Sequence, residues 1–295
     1  MSTRRVAGPG RKVSTGHLRV DTARAVQKLR EYQLAEPASW VLEVLRAAIT
    51  LGATRLTVAG DASDISISWE GGLLDDETMR TVLDELVNPG ESRRDGAIRR
   101  LAIGLNTALG LMPRRVDLER TDADGQRTRV RYTSDLLDPP GPGETLQETG
   151  AGLSHLAAER VAPADAGARP GMRVTMRRRT GFDSFRRFLG RAEPDELRLV
   201  RECADDVPVP LHIGDDVLDR DDSPNDLLRI PLAAGLEGFV ALVDADSTAA
   251  GNQPAWVDFA ERGVILSRAP LPLPNPWRDP RVSVPIRLFL DRHAL

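Results

Sequence analysis

The sequence predicts an α+β protein built as two units, and three observations carry that reading. An almost wholly apolar stretch, Trp40 to Leu51, lies between Pro37-Ala38-Ser39 and Gly52, the Pro-before and Gly-after asymmetry of a helix. Short alternating, β-branched runs surround it and further helical segments, separated by turn residues. Beyond about Thr180 the pattern restarts with one helix and a series of short strands. With 295 residues the chain is long enough for two ordinary domains. The expected division is a tail over 1–20, a first domain over 21–180 and a second, smaller α/β domain over 181–295.

Taken in order, residues 1–16 are Gly-, Ser- and Arg-rich without periodicity and read as a tail. Ala25, Val26 and Leu29 recur at helical spacing between Thr22 and Tyr32, with Asp21 placed as the cap. In the next helix Trp40, Val41, Leu42, Val44, Leu45, Ala47, Ala48, Ile49 and Leu51 put apolar groups nearly all round, so it should be buried. Arg55–Ala59 and Ile65–Trp69 read as a hairpin about Gly60-Asp61-Ala62-Ser63-Asp64. Asp75-Asp76-Glu77 opens a helix to about Val87, Asn88 to Gly96 reads as a loop, and a second apolar helix follows from Ala97 to Leu111. Strands at Val116–Leu118 and Val130–Tyr132 flank Asp124-Gly125. Leu137 to Pro170 reads as a surface excursion with a short helix near Leu153–Arg160, and Arg173–Met176 as a strand. The second unit is a helix near Glu196–Asp205 and strands near Leu211–Ile213, Leu227–Ile230, Phe239–Val243, Trp256–Phe259, Val264–Ser267 and Val284–Leu290.

Composition narrows the function classes. Apolar residues make up 41% and charged residues 28%, with a net charge of −4, so the chain as a whole is no electrostatic match for nucleic acid or an anionic membrane. A single cysteine, Cys203, excludes an internal disulfide framework, and His17, His155, His212 and His293 have no metal-ligand spacing. The start, MSTRRVAGPGRK, has no apolar signal core and no run of about 18 apolar residues occurs, which leads to the expectation of a cytoplasmic protein with no membrane contact and no metal site.

Glu43, Arg46 and Thr50 fall at i, i+3 and i+7, one polar stripe on the buried helix. The stretch from Leu42 to Leu56, with Gly52-Ala53-Thr54-Arg55 within it, resembles the first nucleotide-site motif of the GHKL superfamily, which includes gyrase, heat-shock protein 90, histidine kinases and MutL. The resemblance places Glu43 where the family carries the water-orienting Glu, Ala47 where it carries a magnesium-binding Asn, and Thr50 where it carries an Asp. In the second motif, Asp-x-Gly-x-Gly, Trp69 stands at the adenine-binding Asp, Gly71 is kept and Leu73 replaces the second Gly; shifted by one residue, Glu70 would serve instead. The segment from Ile103 to Leu109 resembles the third, Gly-rich motif and keeps Gly104, while Gly171–Met176 is similar to the closing Gly-Thr-x-Val strand. Glu196–Asp215 resembles the entry to the middle domain of heat-shock protein 90.

The resemblance implies a Bergerat-type α/β sandwich followed by a smaller α/β domain like the middle domain of heat-shock protein 90 or MutL. It further implies a chaperone-like role in which ATP, a protein partner and domain movement are coupled, and it allows a homodimer. The replacements at Ala47, Thr50 and Trp69 disfavour Mg²⁺ and favour a weak ATPase or pseudo-ATPase, with Glu43 the catalytic candidate and Ala47, Thr50, Trp69, Glu70, Gly71 and Gly104 the cofactor-facing positions. Two further features stand apart. Arg173 to Arg201 is arginine-rich and Glu202 to Asp226 acid-rich, so mutual neutralisation is favoured over nucleic-acid binding, with a MutL-like nucleic-acid role the alternative. Leu271 to Trp277 reads as a rigid Pro-rich connector or a partner-binding segment.

Overall fold

A computed structural model describes residue 28 and residues 36–61, 63–133, 156–164, 168–179, 193–204, 206–218, 226–232, 237–243, 255–271 and 286–292. After a 3-10 turn, Pro37–Ser39, helix α1 (Trp40–Leu51) runs to Gly52, whose left-handed φ of 96° lets its N–H reach the carbonyls of Ala48 and Ile49. The expected burial holds: Trp40, Val41, Val44, Leu45, Ala47 and Ala48 are inaccessible to solvent. At about 1.5–3 kcal/mol per large apolar side chain, this one helix is a main source of the core's stability.

The hairpin expected next is β1 (Ala53–Gly60) and β2 (Asp64–Gly71). Helix α2 (Asp76–Thr81) is capped by Asp75, whose carboxylate accepts from the Thr78 N–H at 2.7 Å, and it passes into a 3-10 segment, Val82–Leu86. Helix α3 (Arg93–Gly110) starts four residues earlier than the apolar pattern suggests. Ser92 and Asp95 form a reciprocal capping box, the Ser92 hydroxyl accepting from the Asp95 N–H and the Asp95 carboxylate from the Ser92 N–H, so the expected loop ends at Ser92. Strands β3 (Arg115–Thr121), β4 (Arg127–Tyr132), β5 (Ala158–Val161) and β6 (Gly171–Arg177) follow. The short helix expected near 153–160 is instead strand β5, because Ala158 to Val161 pair with Arg127 to Val130 and extend the ladder. The tail, the helix expected over 22–32 except Lys28, most of the 137–170 excursion and the connector around Trp277 lie outside the described residues.

Helix α4 (Asp195–Cys203) leads to β7 (Leu211–Ile213) and β8 (Asp216–Leu218), and these do not belong to a second sheet. Strand β7 pairs in parallel with β1, giving an eight-stranded order β5-β4-β3-β6-β2-β1-β7-β8. Leu197, Val200, Leu211 and Ile213 join the core of α1. The division expected after residue 180 therefore falls inside the first core, which continues to Leu218 because the edge of β1 takes up β7. Helices α1–α4 share the face of the sheet that carries Leu56, Val58, Ile65, Ile67, Val116, Leu118, Val130 and Val174.

Strands β9 (Asp226–Pro231), β10 (Gly238–Val243), β11 (Ala255–Glu261), β12 (Val264–Pro270) and β13 (Ile286–Asp291) form the second sheet, in the order β12-β11-β13-β10-β9. Its small core centres on Trp256 and on Phe239 stacked against Phe289, with ring centroids 4.9 Å apart.

Two measurements test this packing. A Cβ on Gly104 would lie 2.8 Å from Cγ2 of Val44 and 3.0 Å from the Trp40 carbonyl oxygen, so α1 and α3 touch through a missing side chain. Gly104→Val should destabilise the protein by about 1–3 kcal/mol in urea denaturation, since the intruding atoms meet backbone as well as side chain. The hydrogen bonds from Thr78 hold the Asp75 carboxyl below its ordinary value of 3.8. Its capping contribution is therefore complete above that value and is lost as the pH falls through the depressed one; Asp75→Ala should cost about 0.5–2 kcal/mol at neutral pH and much less at strongly acidic pH.

Candidate functional site

The polar stripe on α1 is not solvated. Arg46 is 6% exposed, and its guanidinium donates through Nη1 to Oε1 of Glu43 and through Nη2 to Oε2 of Glu261, the last residue of β11. Arg100, from α3, donates to the other oxygen of Glu261 and stands 3.9 Å from Oε2 of Glu43. Two carboxylates and two guanidiniums thus alternate around a half-closed ring, drawn from α1, α3 and the second sheet. Burial and the neighbouring Arg46 push the Arg100 guanidinium down from its ordinary value, while Glu261 and Glu43 oppose that shift. At the adjoining turn Arg262 is likewise pushed down, first by burial and then by Arg93. In a hydrogen-bonded ring of this kind each cation faces a carboxylate, which offsets the cost of burying the charges.

The remaining sequence-selected positions differ in what they meet. Ala47 is fully buried and offers only a methyl group. The Thr50 hydroxyl donates to the Arg46 carbonyl at 2.8 Å, within its own helix. Trp69 is 2% exposed on the helix-facing side of β2, and its indole N–H meets no hydrogen-bond partner among the described groups. Glu70 faces the other side of the sheet, where it pairs with Arg55 at 3.6 Å and Arg169 at 2.8 Å. Gly71 ends β2 with φ of 78°, and a Cβ there would stand 3.1 Å from the Gly52 carbonyl, so this glycine serves a close approach of two turns. Gly104 meets α1, as described above. Glu43 and Arg46 are brought together; Glu70 is turned away, and Ala47, Trp69 and Gly104 are packing positions.

Against the positions that the resemblance assigns to a magnesium nucleotide, a methyl stands where a metal ligand is expected and an indole where an adenine contact is expected, and Gly104 is taken up by a helix contact. Among the described residues no group of three His, Cys, Asp or Glu side chains gathers as a metal-ligand set, and no helix is long and apolar enough to cross a membrane.

Sequence reasoning missed the partners of this stripe. Glu261 lies 215 positions from Arg46, and no local pattern could join them. It also missed a second buried ionic cluster, in which Arg287 donates to Asp258 and Asp206, both at 2.7 Å, and Arg229 donates to Asp226 at 2.6 Å and stands 3.0 Å from Asp206. Two carboxylates of the acid-rich stretch, Asp206 and Asp226, are thus held by arginines of β9 and β13. In the described part of the arginine-rich stretch, Arg178 chelates Glu196 with both contacts at 2.6 Å, and Arg201 pairs with Glu193 at 3.0 Å and Asp216 at 2.9 Å.

No protein-family model matches the chain, and no curated protein is significantly similar to it in sequence. Among solved structures it is similar to the MutL ATPase domain of Aquifex aeolicus complexed with ADP, at 12% identity over 88% of this chain and 92% of that one, with a TM-score of 0.46. It is similar to the 43K ATPase domain of Thermus thermophilus gyrase B in complex with an aminocoumarin, at 14% identity over 82% and 67%, with a TM-score of 0.46. A third likeness, to the N-terminal domain of a DNA repair protein, has 8% identity over 92% and 89% and a TM-score of 0.49.

Removing Arg46 would leave Glu43 and Glu261 facing each other with one cation between them. Arg46→Ala should destabilise the protein by about 3–5 kcal/mol in chemical denaturation, and a double-mutant cycle with Glu261→Gln should show strong coupling. Additive losses would remove the bridge from the energetics.

Proposed function

We propose that the chain is a Bergerat-type protein with a degenerate nucleotide site, acting as a non-hydrolysing scaffold that couples its two sheets to a protein partner. The observation that carries this reading is the bond from Arg46 to both Glu43 and Glu261. The carboxylate that the family resemblance assigns to water orientation is neutralised by its own helix and tied to the second sheet. A general base must be free to receive a proton from water, and a carboxylate held by a guanidinium is a poor one. The same ring gives a mechanical link, since a partner that displaces the turn after Glu261 also pulls on α1 and α3.

A weak ATPase is the second reading, favoured only by the position of Glu43 on α1. Nucleic acid is the less favoured partner, because Arg178, Arg198 and Arg201 of the 173–201 stretch meet carboxylates of the same chain.

Isothermal calorimetry with ATP and ADP, each with and without Mg²⁺, tests both readings. The scaffold reading expects no magnesium-dependent binding and no turnover. Tight magnesium-dependent binding overturns it; turnover that survives Glu43→Gln removes Glu43 from any mechanism, whereas turnover abolished by that change supports the ATPase.

A further inference from the structure

We infer that the face of the first sheet turned away from the helices carries a binding site for a small phosphate-bearing ligand, centred on Arg173. The strand registers place His212, Thr57, Ser68, Arg173, Glu119, Arg129 and Glu159 in one row across seven strands, each hydrogen-bonded neighbour facing the same side. The opposite side of the same strands holds the apolar core, so this row belongs to the open face.

A cleft of about 540 Å³ opens over the middle of the row, a volume in the range of small-molecule sites. Four arginines and two glutamates line it, leaving an excess of positive charge. The acids are already spoken for at the two ends. Glu70 is paired with Arg55 and Arg169, and Glu119 with Arg127 and, at 3.6 Å, Arg129. Arg173 stands between these pairs, exposed, and meets no carboxylate among the described residues. Beside it the hydroxyls of Thr57 and Ser68 make no hydrogen bond to another described group.

A planar guanidinium with neighbouring hydroxyl donors is matched by a tetrahedral oxyanion, which takes two parallel N–H bonds from the arginine and one from each hydroxyl. The side chains that the sheet turns into the cleft are polar, Ala164 and Ala168 add only methyl groups to its lining, and its one aromatic lining residue, Trp69, directs its ring into the core. Base stacking therefore has no platform among the described residues, and recognition falls to the phosphate group. The sheet itself separates the cleft from Glu43, so this site and the reading of the ionic ring stand or fall independently.

The experiment is calorimetry on the full chain with pyrophosphate and with glycerol phosphate, the second arm separating phosphate esters from inorganic anions. The comparison is between wild type, Arg173→Gln, Arg173→Lys and Arg177→Gln. Arg177 lies on the same face outside the cleft, 3.9 Å from Asp64. Loss of the Arg173 fork should weaken binding about tenfold or more, the lysine variant should fall between, and Arg177→Gln should match wild type. Melting curves should show all variants folded, as expected for exposed positions. The inference is overturned if wild type binds neither probe, or if Arg177→Gln weakens binding as much as Arg173→Gln, which would mean diffuse attraction in place of a site. Binding of pyrophosphate alone limits the ligand to inorganic anions and overturns the ester.

Discussion

Burying a guanidinium is costly unless carboxylates meet it, and Arg46 has two, one on its own helix and one on the second sheet. Its side chain is 7% exposed, so the cost of breaking either contact falls on the whole assembly. Helix α1 must remain where it is for Arg46 to reach Glu261, and the turn after β11 must remain where it is for Glu261 to reach Arg46 and Arg100. The apolar burial of α1 and the ionic ring therefore support each other: the first sets the helix in place and the second fixes how the other sheet meets it.

The same logic recurs around Arg287. Its guanidinium bridges Asp258 of the second sheet and Asp206 of the segment after α4, and it lies over the Phe289 ring at 5.1 Å. Arg229 repeats the arrangement over Phe239 at 4.4 Å. The second sheet has a small apolar core, and these paired charges, desolvated against aromatic faces, give it orientation where hydrophobic area is limited. Charge in this protein serves as internal structure more than as an external field.

That use of charge bears on chemistry. On α1 each member of the stripe Glu43–Arg46–Thr50 is bonded to a protein group, whereas on the open face of the first sheet Arg173 and the hydroxyls of Thr57 and Ser68 are left uncommitted among the described residues. The two faces of one sheet thus differ in kind. One is closed by helices and by its own ionic partners, and the other presents donors to a cleft.

Much of the fold was legible in the residues themselves. The burial of α1, the β1–β2 and β3–β4 hairpins, and nearly every strand of the second sheet follow from periodicity and turn chemistry, which act over a few residues. The early start of α3 was also written locally, in Ser92 and Asp95, although the apolar pattern begins only at Ala97. What the sequence could not decide was which sheet β7 and β8 join, since that depends on the free edge of β1 about 150 residues earlier. Nor could it decide the state of Glu43. Its position on the helix was fixed by spacing, but Arg100, which stands 3.9 Å from it, and Glu261, which shares Arg46 with it, come from distant elements that only the folded chain brings together. Local pattern determined where each polar group sits along its element; tertiary packing decided whether that group meets water, a ligand or another charge.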